Sequence, residues 1–174
     1  ESNLHVLAGN ETILDGSFEV AYTPGHASHH VSYLHGDTAF VGDVGGVRIT
    51  SQSLTIPPTP PPDIDVEAWH VSLERIRAWS PRRLAFTHFG SSSDVEDQLE
   101  ELSARLTDWA DRAREQERDA FLAGVCQEIE ERSEPGTLPA YLQAAPPEQL
   151  YAGLERYWRK RAQALPGPAA PPVF

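Results

Sequence analysis

Six apolar residues, Val95, Leu99, Leu102, Leu106, Trp109 and Ala113, recur at steps of four, three, four, three and four. That rhythm commits about twenty residues to one α-helix with a narrow apolar seam, and a seam of that kind must be covered. The cover comes from the chain's own sheet or a neighbouring helix, or from a second copy in a coiled coil. A second apolar stripe follows in Phe121, Leu122, Val125, Cys126 and Ile129. Pro135-Gly136 breaks the chain, and Leu150, Tyr151, Leu154, Tyr157 and Trp158 mark a last helix.

The first forty residues follow a different period. Leu4–Leu7, Thr12–Leu14, Phe18–Tyr22, His30–Leu34 and Thr38–Gly42 are short apolar or alternating runs separated by Gly9-Asn10, Asp15-Gly16 and Gly36-Asp37. They read as a β-meander, with Gly36 at the first central position of a tight hairpin. Pro57 to Pro62, with Thr59 among the prolines, then excludes helix and central strand and predicts a stiff, extended loop. Asp63 or Asp65 caps a helix over about 66–79, with Trp69, Leu73 and Ile76 on one face and Ser80-Pro81 at its end. Leu84–Thr87 reads as a buried strand ending at His88, and Ser91–Asp94 as a polar entry to the seam helix. Mixed strands and helices predict an α/β chain.

The chain carries 26 acidic and 14 basic residues, and residues 94–134 alone hold fourteen acids against five bases. A phosphate backbone is repelled by such a segment, so nucleic acid is not an expected partner. No run approaches the ~20 apolar residues of a membrane span. A single cysteine, Cys126, excludes an internal disulfide and Cys-rich zinc modules, and a cytoplasmic location is the expectation.

Three segments carry chemistry. Thr23-Pro24-Gly25-His26 follows a strand, Val41-Gly42-Asp43-Val44-Gly45-Gly46 delivers a carboxylate into a Gly-rich turn, and Phe86-Thr87-His88 ends another strand. Two imidazoles and a carboxylate suit Zn²⁺ or a similar ion, and strand ends aim side chains from a rigid base. His29 and His30 are candidates to line the pocket or to orient His26, and Arg48 is a candidate contact for an anionic substrate or a surface residue. His5, His35 and His70 read as surface residues and Cys126 as an inert core thiol.

These strings also resemble a known pattern. Tyr22-Thr23-Pro24-Gly25-His26-Ala27-Ser28-His29-His30 is similar to the third metal motif of metallo-β-lactamase-fold proteins of the glyoxalase II-like type. Phe40-Val41-Gly42-Asp43 resembles their fourth motif, and Leu84-Ala85-Phe86-Thr87-His88-Phe89-Gly90 their fifth. Order and separations, seventeen and forty-five residues between the candidate ligands, also agree. The resemblance covers about residues 1–110 and implies the C-terminal half of an αββα sandwich. On that basis 1–113 is half of the metallo-β-lactamase-like domain, 114–165 a helical extension and 166–174 a flexible Pro-rich tail.

The resemblance implies roles as well. His26 would complete a first metal site, Asp43 would bridge two metals as the catalytic carboxylate, and His88 would bind the second. Two Zn ions (Fe or Mn as alternatives) would polarise a small ester, thioester or lactone, and a metal-bound hydroxide would attack it. The family's His-x-His-x-Asp-His motif is absent from this sequence. The expectation is therefore a fragment of a hydrolase, inactive alone and empty or weakly metal-loaded, with a small-molecule substrate in the intact protein. Pairing with a missing N-terminal half or a homodimer are the partner arrangements this allows. A non-catalytic half that self-associates through sheet edges or the 95–113 seam, or a single-iron sulfur-oxidising relative, are the alternative readings.

Overall fold

The computed structural model describes residues 6–50, 54–88 and 90–164. Six strands form one mixed sheet: β1 (Thr12–Ile13), β2 (Phe18–Tyr22), β3 (Val31–His35), β4 (Thr38–Phe40), β5 (Arg83–Ala85) and β6 (Ser91–Ser92), hydrogen-bonded in that order. All neighbours are antiparallel except β4 and β5, which are parallel. The β3–β4 hairpin pairs Leu34 with Ala39 and His35 with Thr38. Gly36 takes φ +59° at the turn, which a side chain would resist.

Between β4 and β5 the chain makes a crossover through helix α1 (Val66–Ala78). Asp65 caps α1, its carboxylate accepting from Ala68 N at 2.9 Å. Trp69, Leu73 and Ile76 point into the core, and Ser32, Ala39 and Leu84 meet it from one sheet face with no exposure. On the other face Phe18 forms a separate aromatic cluster with Tyr33 and Phe40, ring centroids 6.5 Å and 6.3 Å away.

The remaining helices are α2 (Val95–Glu115), α3 (Arg118–Arg132), α4 (Leu138–Ala144) and α5 (Pro147–Ala164). All six seam residues of α2 are buried within the chain, against α1, α3 and α5. The seam is thus consumed by intramolecular packing, and a coiled coil through it has no apolar surface to use. One core cluster runs continuously from Ala39 and Leu84 through α1 and α2 to Phe121 of α3, Tyr141 of α4 and Leu154 of α5. Among the described residues, no helix is long and apolar enough to cross a membrane.

Several local expectations change. Ser91–Ser92 is a strand rather than a polar entry, because Leu84 and Ala85 offer it a partner ladder that composition alone does not reveal. Helix α4 lies in a segment with little apolar periodicity, and its main anchor is Tyr141, fully buried with its hydroxyl on the Leu54 carbonyl. His70 is no surface residue: it sits between α1 and α2, Nδ1 2.9 Å from Ser103 Oγ and Nε2 3.1 Å from Thr107 Oγ1. Residues 4 and 5 of the first apolar run, His5 included, and the 166–174 tail lie outside the described residues.

The Pro-rich loop is interior. Ile56 bridges Val47, Thr59 is fully buried, and the Thr59 hydroxyl donates to Leu150 O at 3.0 Å. Helix α5 lies directly on this loop at Gly153, where a Cβ would fall far inside contact distance of the Thr59 carbonyl. Gly153→Ala therefore costs stability although alanine is the better helix former by about 1 kcal/mol. The backbone clash outweighs that gain, and a net loss of about 1–3 kcal/mol is expected in urea unfolding. A variant as stable as the parent would mean that α5 is not seated on the loop.

Candidate metal centre

Strands β2 and β4 are both antiparallel to β3, and β5 is parallel to β4, so β2, β4 and β5 all run the same way. Their C-terminal ends meet at one rim of the sheet. His26 lies four residues past β2, Asp43 in a 3₁₀ turn (Gly42–Gly45) just past β4, and His88 three residues past β5. The topology therefore converges three segments far apart in sequence.

The side chains meet there. His26 Nε2 lies 3.6 Å from Asp43 Oδ2, and His88 Nε2 lies 3.3 Å from Asp43 Oδ1. Two donors on one tetrahedral zinc ion, each about 2.0–2.2 Å from it, sit roughly 3.3–3.5 Å apart. The two spacings fall in or close to that range. Asp43 Oδ1 is buried and accepts no hydrogen bond, an orphaned anionic atom that a cation would satisfy. His26 Nδ1 lies 2.8 Å from the Pro58 carbonyl, and a carbonyl only accepts. Nδ1 therefore carries the proton, and in the neutral ring Nε2 presents its lone pair towards Asp43. By donor chemistry the residues fit a divalent metal. Even so, among the described residues no group of three or more His, Cys, Asp or Glu side chains is placed to hold a metal ion. The three form two pairs around a shared carboxylate.

Local packing holds these positions. Trp69 Nε1 donates to Val44 O at 2.7 Å, fixing the turn that carries Asp43, and its ring stands edge-on to His26 with centroids 5.7 Å apart. Gly25, at φ +138°, lets the 24–26 loop lie against the Trp69 backbone, closer than any Cβ would permit. The Gly25 carbonyl accepts from Asp65 N at 2.9 Å, and Ser72 Oγ donates to Pro24 O at 2.6 Å.

The other candidates are placed differently. His30 stands edge-on to His26, ring centroids 6.5 Å apart, and makes no hydrogen bond to it. Its Nδ1 is 2.9 Å from Thr23 Oγ1, and a Cβ added at Gly42 would lie 2.5 Å from its Nε2. Burial, and then the nearby His26, push the His30 pKa down to about 4, so it is neutral at pH 7. His29 is exposed. Arg48 is 5% exposed, with its guanidinium 5.3 Å from the Phe86 ring centre, and burial lowers its pKa. It is not a surface residue, and it does not line the cavity that holds His26, Asp43 and His88. Nothing in the sequence pointed to Pro58 as the group that orients His26, because a backbone carbonyl carries no residue signature.

That cavity measures about 180 Å³. It is also lined by the corner between α4 and α5, through Ala144, Ala145, Pro146, Gln149 and Leu150, and by Pro58 and Pro60. A larger cavity of about 460 Å³, lined by Tyr22, Asp63, Tyr157 and Lys160 among others, contains none of the three candidate ligands. The smaller one is the relevant one, since only it brings the three together.

No protein-family model matches the chain. The metallo-β-lactamase fold-containing protein of Sulfurisphaera tokodaii is 35% identical over 103 residues, which is 57% of this chain and 38% of that protein. The crystal structure of that same archaeal protein, there assigned to Sulfolobus tokodaii, superposes with a TM-score of 0.55 at 28% identity, over 85% of this chain and 50% of its own. A metallo-β-lactamase family protein from Thermus thermophilus gives a TM-score of 0.57 at 19% identity, over 90% of this chain and 49% of its own. The chain thus spans half, or less, of the length of each of these relatives. By sheet topology and by these relatives, the chain has the metallo-β-lactamase fold, of which it carries about half.

Proposed function

We propose that this chain supplies one side of the metal centre of a hydrolase acting on a small ester, thioester or lactone. The observation that carries the reading is the Asp43 carboxylate, with a different imidazole facing each of its oxygens and one oxygen buried without a hydrogen bond. His26, Asp43 and His88 would hold the metal, and Asp43 is the group able to serve two ions. When bound, divalent metal supplies Lewis acidity that polarises a scissile carbonyl and acidifies water. The chain's own contribution is positional. Pro58 fixes the His26 tautomer, Trp69 fixes the Asp43 turn, and Pro58 and Pro60 give the cavity part of its apolar lining.

Zinc titration by calorimetry tests the ligand set. Three protein donors shared between two ions make a weak chelator, so the chain itself is expected to bind zinc loosely. The partners around a metal ligand are alone worth ~10–100-fold in affinity, and losing a ligand costs no less. His26→Ala and Asp43→Asn should each lower the affinity by at least that factor, with circular dichroism unchanged. Zinc heats identical in all three proteins would overturn the assignment.

A further inference from the structure

The cavity at the metal centre has walls of contrasting chemistry. Part of the lining is His26, Asp43 and His88. The corner where α4 ends and α5 begins adds Ala144, Pro146 and Leu150 to the lining, and the loop adds Pro60. Gln149 is the polar side chain of this corner, exposed and neutral. Among the described residues no Lys or Arg lines the cavity. An anionic group on the non-reacting part of a substrate would meet hydrocarbon here and lose its hydration without a partner. A space of about 180 Å³ holds the equivalent of about six waters at ~30 Å³ each, and so a molecule of about that many heavy atoms.

Resting on the hydrolase reading above, we propose that the α4–α5 corner selects the substrate's non-reacting group. It takes a short, uncharged alkyl or cyclic substituent, with Gln149 as its polar contact. Long, charged leaving or acyl groups are excluded from this side of the site. The corner is held in place by the Thr59 hydroxyl on Leu150 O and by Tyr141, so the wall is a fixed surface and not an adaptable one.

The test is nitrogen–proton correlation NMR on the metal-free chain, titrated with cyclopentanone and, separately, with methyl phosphate, an anion of the same heavy-atom count. Cyclopentanone is expected to shift the Ala144, Gln149 and Leu150 amide signals saturably, with Kd on the order of millimolar. Methyl phosphate is expected to leave them in place. Gln149→Trp, at an exposed position, should weaken cyclopentanone by about tenfold or more as the ring fills the space. Gln149→Arg should gain a response to methyl phosphate. Stronger binding of methyl phosphate than of cyclopentanone by the parent chain, or cyclopentanone shifts that Gln149→Trp does not weaken, would overturn the proposal. Zinc calorimetry on the same samples separates the two claims. Zinc heats insensitive to ligand substitution, with the cyclopentanone response intact, count against the metal centre and for the corner. Ligand-dependent zinc heats with no cyclopentanone response overturn the corner alone.

Discussion

Trp69→Ala is expected to lower the stability of the chain by about 3–5 kcal/mol, the usual range for emptying a buried aromatic site. Trp69 is fully buried and among the largest such side chains in the core. Its removal also strips the Val44 carbonyl of its donor, an acceptor inside the turn that carries Asp43. The loss should therefore reach the candidate metal centre. Leu73→Ala supplies the control, because Leu73 is also buried, one turn further along α1, and its hydrocarbon side chain has no donor to give that turn. Its expected cost is about 2–5 kcal/mol with zinc affinity unchanged, whereas Trp69→Ala should lose both. Urea unfolding read beside zinc calorimetry decides it. Equal zinc affinity in the two variants would show that Trp69 is only core packing.

The second large effect is at Arg105. Its side chain is 2% exposed, donating to Glu128 at 3.0 Å, to Glu101 at 2.9 Å and to the Thr55 carbonyl. It ties α2 to α3 and both to the loop that leads towards Pro58. Removing one member of a buried charge pair costs about 3–5 kcal/mol, because the other is left uncompensated. Glu128 keeps three further partners, Trp109 Nε1 at 2.9 Å, Arg112 Nη1 at 3.0 Å and Arg132 Nη1 at 3.5 Å. The expected cost of Arg105→Ala is therefore at the lower end, about 3 kcal/mol. Molar salt should not erase it, because a desolvated pair is poorly screened. Arg118→Ala removes an exposed pair with Asp119 and should cost under about 1 kcal/mol. Thermal unfolding of both variants at low and high salt checks the contrast, and a cost for Arg105→Ala that vanishes in salt would place it at the surface.

Much of the local structure was legible because its signals are local. Period-two alternation marks Phe18–Tyr22, the 4-3 rhythm marks Val95–Ala113, and the Asp63/Asp65 pair, of which Asp65 is the cap, and Ser80-Pro81 mark the two ends of α1. What escaped is structure made by partners. Ser91–Ser92 is a strand only because β5 lies beside it, and α4 is a helix anchored by a tyrosine that reaches Leu54. Arg48 read as a contact for an anionic substrate or as a surface residue and is buried, since burial depends on the Val47–Ile56 bridge beside it.

The sequence by itself determined the donor types at the candidate centre, because imidazoles and a carboxylate at strand ends can be read from residue identity. It also determined that each sits on a short loop or turn. Only the tertiary structure decided that they meet. Strand period says nothing of which strand lies beside which, or in what direction. The parallel placement of β5 on β4, after a crossover through α1, brings His88 to the rim already shared by His26 and Asp43. Likewise, a proline's carbonyl and the corner between two helices acquire a role at the site only through packing. Their chemistry is common to every such residue, and position alone sets them apart.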